Sequence, residues 1–171
     1  GAQTAYFSQT VGLNAIVSSV NSGFASVRTS DGNFITVGTS SAGGFEIRNY
    51  SPAGTMLLTT KIASTVCSIE SVSTVMETSP NYLLITGMGY TATGSVYYLA
   101  KVNLLTNAVT ITTKSNYSFG YTKGPKAFTM GGSIYAVFPS FGEFDINKFD
   151  ANLNPIWSKT CEPDSTTGKN P

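Results

Sequence analysis

Two carboxylates, Glu143 and Asp145, stand two residues apart in the alternating run Glu143-Phe144-Asp145-Ile146-Asn147. On a β-strand side chains alternate, so both would point to one face, about 7 Å apart at the backbone. Such a pair could hold a cation, or divide the roles of general acid and base in glycoside hydrolysis. Pairs of that kind face each other across a substrate, however, and nothing in the sequence suggests a cleft. Charges placed on a strand edge against aggregation are the simpler reading. Asp150, Asn152 and Asn154 alternate like the first ligands of a calcium loop, but the following Gly and the distal Glu are absent, so they read as turn residues. Asp31, just before Gly32, reads as a turn former too. Cys67 and Cys161 match no CxxC or zinc spacing and are either one disulfide or two buried thiols. The chain has no His, which removes the commonest general base and metal ligand and every Ser-His or Cys-His relay. The expectation is a protein without catalytic centre, metal or cofactor.

Composition narrows the class further. Only 11% of the 171 residues are charged and the net charge is +1, so no electrostatic footprint for nucleic acid or an anionic membrane is present. No apolar run reaches the ~18 residues of a membrane span. Hydrophobic residues make up 41%, enough for an ordinary core. The 21 Ser and 23 Thr, with Asn and Tyr, give a surface chemistry associated with extracellular or cell-surface proteins. Two glycosylation sequons are present, at Asn49 and Asn116. Asn116 is the better acceptor, because Asn49 precedes a tight turn. The chain opens Gly1-Ala2-Gln3 and reads as a processed chain or part of a longer one.

The elements that must position these residues are strands. Short apolar or β-branched runs alternate with turn chemistry throughout: Phe34-Ile35-Thr36-Val37 before Ser40-Ser41-Ala42-Gly43-Gly44, then Phe45 to Tyr50, then Ser51-Pro52-Ala53-Gly54. No stretch carries a convincing helical period, and strands at this spacing argue an all-β fold. The segments ending at Tyr50, Val102 and Phe149 align with one another, each followed by a turn and an apolar strand rich in hydroxyls. Their first halves align as well, from Asp31-Gly32-Asn33, Ser79-Pro80-Asn81 and Gly131-Gly132. Each unit therefore reads as four antiparallel strands, in units over about 24–61, 71–114 and 126–160.

Phe149-Asp150-Ala151-Asn152-Leu153-Asn154-Pro155-Ile156-Trp157-Ser158-Lys159-Thr160, with a Gly turn before the preceding strands, resembles blades of secreted kelch-like β-propellers. The resemblance covers about 24–160. It implies four-stranded antiparallel blades in a single β domain or propeller segment over 1–171; a β-sandwich is the alternative. Only Gly131-Gly132 places the tandem glycine before the second strand of a unit, and only one unit has the Trp, so the likeness is to propeller-like repeats and not to a subfamily. A closed propeller needs four or more blades, and three units fit here. The N-terminal Ala5-Tyr6-Phe7-Ser8-Gln9-Thr10 is then expected to be the outer strand of a further blade.

The expected function is an extracellular or cell-surface structural or interaction module, with protein as the partner, either through self-assembly or as the remainder of a longer propeller. A fibre subunit joined by strand addition is a second reading, and a carbohydrate-binding or glycan-acting domain a third. Tyr90, Tyr97, Tyr98 and Phe141, in or beside loops, are the candidate contact surface for glycan or protein.

Overall fold

The computed structural model describes residues 24–115, 124–140 and 143–162. The strand expected over Ala5–Thr10, the sequon Asn116 and the aromatic Phe141 lie outside them. Twelve strands follow in chain order: β1 (Ala25–Arg28), β2 (Phe34–Thr39), β3 (Phe45–Tyr50), β4 (Met56–Ile62), β5 (Ser68–Ser79), β6 (Tyr82–Thr91), β7 (Gly94–Asn103), β8 (Val109–Ser115), β9 (Lys126–Met130), β10 (Ser133–Ser140), β11 (Glu143–Phe149) and β12 (Pro155–Cys161). They form three four-stranded antiparallel sheets, β1 to β4, β5 to β8 and β9 to β12, each a meander in which consecutive strands pair. No helix among the described residues is long and apolar enough to cross a membrane.

Four of the hairpins close by one scheme. The first turn residue donates its N–H to the carbonyl four residues on and accepts from the N–H three residues on, at Thr29, Ser40, Ser51 and Asp150. The fourth residue of each turn is left-handed: Gly32 (φ 89°), Gly43 (φ 76°), Gly54 (φ 84°) and Leu153 (φ 66°). This is the three-residue hairpin, a type I turn followed by an αL residue. The opening Ser, Thr or Asp braces it with its side chain. The Asp31 carboxylate accepts from Thr29 Oγ1 (2.6 Å) and from Asn33 N (3.1 Å). Asp150 accepts from Asn152 N (2.8 Å) and Asn154 N (2.9 Å). Both carboxylates are turn formers, as the sequence indicates. Leu153 tolerates its left-handed backbone where glycine is the rule, and its side chain is buried in the core.

The three sheets stack in chain order and meet through their first strands, β1 and β2 against β5, then β5 and β6 against β9. The fourth strands make no comparable approach to a neighbouring sheet, which is the wedge arrangement of propeller blades. Two cores result. Ile35, Val37, Phe45 and Ile47 of the first sheet pack on Leu83, Ile85, Tyr98 and Val102 of the second. On the other side of the second sheet, Leu84, Tyr97 and Leu99 pack on Ile134, Ala136, Phe138 and Phe149 of the third.

The middle sheet is thus covered on both faces, and this corrects one expectation. Adjacent residues Tyr97 and Tyr98 are 2% and 0% exposed; they are core and not contact surface. Tyr97 stacks on Phe138 with ring centres 6.1 Å apart, while Tyr98 meets Phe45 edge-on at 5.7 Å. The Tyr98 hydroxyl donates to the Ser71 carbonyl at 2.8 Å across the bare backbone of Gly87. A Cβ at Gly87 would lie 2.0 Å from that carbonyl oxygen and 2.4 Å from the hydroxyl, so only glycine fits. Burial, and secondarily the neighbouring Cys67, pushes the Tyr98 hydroxyl well above its ordinary pKa. Of the four aromatics proposed as a contact surface, Tyr90 is exposed. The disulfide alternative is also corrected. Both cysteines are free, Cys67 buried in the first core and Cys161 partly exposed at the end of β12.

Candidate functional site

The central strand pairs share one register. Ile35 stands opposite Asn49, Leu84 opposite Lys101, and Tyr135 opposite Lys148. The adjacent pairs are Phe34–Tyr50, Leu83–Val102 and Ile134–Phe149. A bulge in the fourth strand falls at the same place in the first and third sheets, at Leu57 opposite the Asn49–Tyr50 step and at Ile156 opposite the Lys148–Phe149 step. Each sheet therefore has a forward face, carrying Asn49, Lys101 or Lys148, and a rear face, carrying Tyr50, Val102 or Phe149. Forward meets rear at both interfaces.

The forward face of the third sheet meets no sheet among the described residues. Phe128, Tyr135, Lys148 and Trp157 line up across its four strands. Phe128 and Tyr135 stack at 5.2 Å with planes 6° apart, and Trp157 meets Tyr135 edge-on at 6.1 Å. Lys148 lies over the Tyr135 ring at 5.6 Å and Lys159 over Trp157 at 5.6 Å. Phe128 is 44%, Phe144 42% and Trp157 37% exposed.

A second feature is a cleft of about 310 Å³ between the first and second sheets, where the sequence suggested none. It exists because the sheets diverge away from their first strands, a tertiary property that no local pattern encodes. Ser30, Asp31, Ile47 and Asn49 line one side, Glu77 and Leu104 the other. Glu77 accepts from Ser30 N (2.6 Å) and Ser30 Oγ (3.2 Å), docking the β1–β2 turn on β5. The Asn49 carboxamide oxygen is buried and has no hydrogen-bond partner. A buried polar atom without a partner is uncommon in folded proteins.

The remaining sequence candidates separate. Glu143 is exposed at the start of β11. Asp145 is buried and engaged elsewhere: Lys114 of β8 forms an ion pair with it at 2.5 Å, and Thr160 Oγ1 donates to it at 2.5 Å. The pair is therefore not an acid and base set side by side for a substrate; one member is spent on holding two sheets together. A further buried carboxylate, Glu46, is held by Arg48 Nε (2.8 Å) and Nη2 (2.5 Å). No group of three or more metal-ligating side chains gathers among the described residues. Sequence reasoning missed the Asn49 cleft and the Lys114–Asp145 bridge. The alignment of Tyr50, Val102 and Phe149 did place Asn49 against Lys101 and Lys148, which is the signal that could have found the cleft.

No protein-family model matches the chain, and no curated protein matches it. Among solved structures, the chain is similar to the Nup133 β-propeller domain of Vanderwaltozyma polyspora, at 10% identity and a TM-score of 0.48, over 85% of this chain and 47% of that one. It is also similar to a protein of unknown function from Bacteroides caccae, at 11% identity and a TM-score of 0.35, over 85% of this chain and 69% of that one. The chain thus spans about half the length of the Nup133 domain. The three stacked antiparallel sheets themselves carry the propeller-like description of the fold.

Proposed function

We propose that this chain is a non-enzymatic interaction module, working outside the cell or at its surface, whose third sheet receives a further four-stranded sheet on its forward face. The observation that supports it is a contrast between equivalent positions. On the second sheet Leu84, Tyr97 and Leu99 are 1%, 2% and 0% exposed beneath the third sheet. Of their counterparts Tyr135, Phe144 and Ile146, none is fully buried: Phe144 is 42% exposed and the other two are half-buried. A contiguous apolar face of this kind marks an interaction surface. The occupant has the chemistry of a rear face, small and aliphatic like Ile134 and Ala136. Lys126, Lys148 and Lys159, on the same forward face, favour acidic groups at its rim, as Asp145 answers Lys114 across the existing interface. The low charge and the abundance of Ser and Thr support the extracellular setting.

Trp157 is the only tryptophan, so its emission reports on this face. The isolated chain should show a partly solvated indole, quenched by acrylamide, and should bind the apolar dye anilinonaphthalene sulfonate. Replacing Phe128 and Trp157 together by Ser should remove dye binding and leave the far-ultraviolet strand signal intact. A tryptophan shielded from quencher in the monomeric chain overturns the reading.

A further inference from the structure

We propose that the cleft between the first and second sheets binds an alkylammonium group, the charged end of a lysine side chain or of a polyamine. The second and third sheets show the arrangement already filled. There the Lys101 ammonium donates to the Ala151 carbonyl at 2.6 Å and lies 4.9 Å from the centre of the Tyr82 ring. Its butyl stem thus runs along the groove between those two sheets. Asn49 holds the same register position on the first sheet, opposite Ile35 as Lys101 is opposite Leu84. The carbonyl that corresponds to Ala151 is that of Leu104, which follows Val102 as Ala151 follows Phe149. Leu104 lines the cleft. The first interface repeats the strand register of the second, but Asn33 stands where the second sheet has Tyr82 and asparagine replaces the lysine; it is too short to fill the groove, and a cleft of about 310 Å³ remains.

The chemistry of the walls selects the ligand. Asp31 and Glu77 are both on the lining, and no lysine or arginine is. Asn49 lines the cleft, and its carboxamide oxygen is buried without a hydrogen-bond partner, so a donor brought to it by a small shift of the side chain would relieve an unfavourable burial. Ile35, Leu58 and Leu105 supply an apolar wall of the kind along which an alkyl stem packs while its charged head stays solvated or paired. An anion would meet two carboxylates, and a neutral alkyl chain would leave the acceptors unanswered.

Lysine blocked at both backbone ends and spermidine are the probes, titrated into isotope-labelled chain by heteronuclear NMR. At least one should shift resonances of Asn49, Leu58, Glu77 and Leu104. Acetylating the lysine ε-amine should weaken binding about tenfold or more, and Glu77→Gln should do the same, because hydrogen bonds to charged groups are being lost. Asn49→Lys should abolish probe binding and raise the melting temperature, since the chain's own ammonium then fills the cleft as Lys101 fills its groove. Preference for the lysine probe points to a polypeptide source and preference for spermidine to a free polyamine; either supports the proposal. No shift with either probe at millimolar concentration, equal binding of the acetylated lysine, or binding untouched by Asn49→Lys overturns it.

Discussion

The ammonium of Lys114 lies 2.5 Å from the carboxylate of Asp145, joining the last strand of the second sheet to the third strand of the third. Burial alone would raise the Asp145 pKa, but hydrogen bonds from Lys114 and Thr160 and the Lys114 charge outweigh it and hold the carboxyl below its ordinary value. A group whose folded pKa is depressed contributes stability above its unfolded pKa, about 4, and loses that contribution as pH falls through the folded value. Asp145→Asn should therefore cost about 1–2 kcal/mol in urea unfolding near neutral pH. The same comparison below the folded pKa should show little difference between the two proteins. A difference that does not shrink on acidification would mean that the carboxylate acts through packing instead.

Gly87→Ala should be among the most damaging single-methyl insertions in the chain. The added carbon meets the Ser71 backbone carbonyl at 2.0 Å, and backbone in a paired strand cannot move aside, so about 2 kcal/mol or more is expected. Tyr98→Phe should cost about 1–2 kcal/mol by leaving the Ser71 carbonyl without its donor. Removing the hydroxyl should not rescue Gly87→Ala, because the harder clash is with backbone. Chemical denaturation of the two single variants and the double variant checks all three.

The two thiols should be distinguishable by rate. Cys67 is buried, and burial, against one hydrogen bond from Ser64, pushes its pKa up; the thiolate is the reactive form, so reaction is slow. Cys161 is partly exposed. Ellman's reagent should therefore label one thiol per chain in the native protein and two after denaturation without reductant. Zero in both conditions would establish the disulfide that the structure lacks.

Expressed through a eukaryotic secretory route, the chain should carry glycan at Asn116 and none at Asn49. Asn49 lines the narrow cleft between the first and second sheets, where a transferase cannot reach its carboxamide nitrogen in the folded chain. Intact mass of the wild type, Asn49→Gln and Asn116→Gln decides: a mass drop on Asn49→Gln would show that the site is modified before the sheets close.

The strands were legible because turns announce them. Asp150-Ala151-Asn152-Leu153-Asn154 and Ser51-Pro52-Ala53-Gly54 carry their turn chemistry in side chains that bond their own backbone, so hairpins could be placed without knowing the tertiary fold. The ends of β5 were not legible. It runs over Ser68–Ser79, beginning before residue 71, where the second unit is expected to start, and its register shifts near Ile69, Val72 and Glu77; each bulge inverts the in–out alternation that marks a strand. Tyr97 and Tyr98 were misplaced because alternation assumes one wet face and the middle sheet has none. Asp145 looked like half of a pair with Glu143 because sequence shows neighbours along a strand. Its partner Lys114 is a neighbour across a stack.

Forward and rear faces are unlike, and an interface between unlike faces has a direction. A two-fold dimer buries the same patch on both partners; made through the third sheet, it would set Lys126, Lys148 and Lys159 against their own copies. Addition to this face must instead run head to tail. Such a series closes into a ring if the rotation from sheet to sheet divides the circle, and winds into an open spiral if it does not. In this chain polar struts cross each interface and help gauge that rotation, among them Glu77 on Ser30 at the first and Lys114 on Asp145, beside Lys101 on the Ala151 carbonyl, at the second. Shortening such a strut would alter the curvature of the whole stack more than the strength of any one sheet.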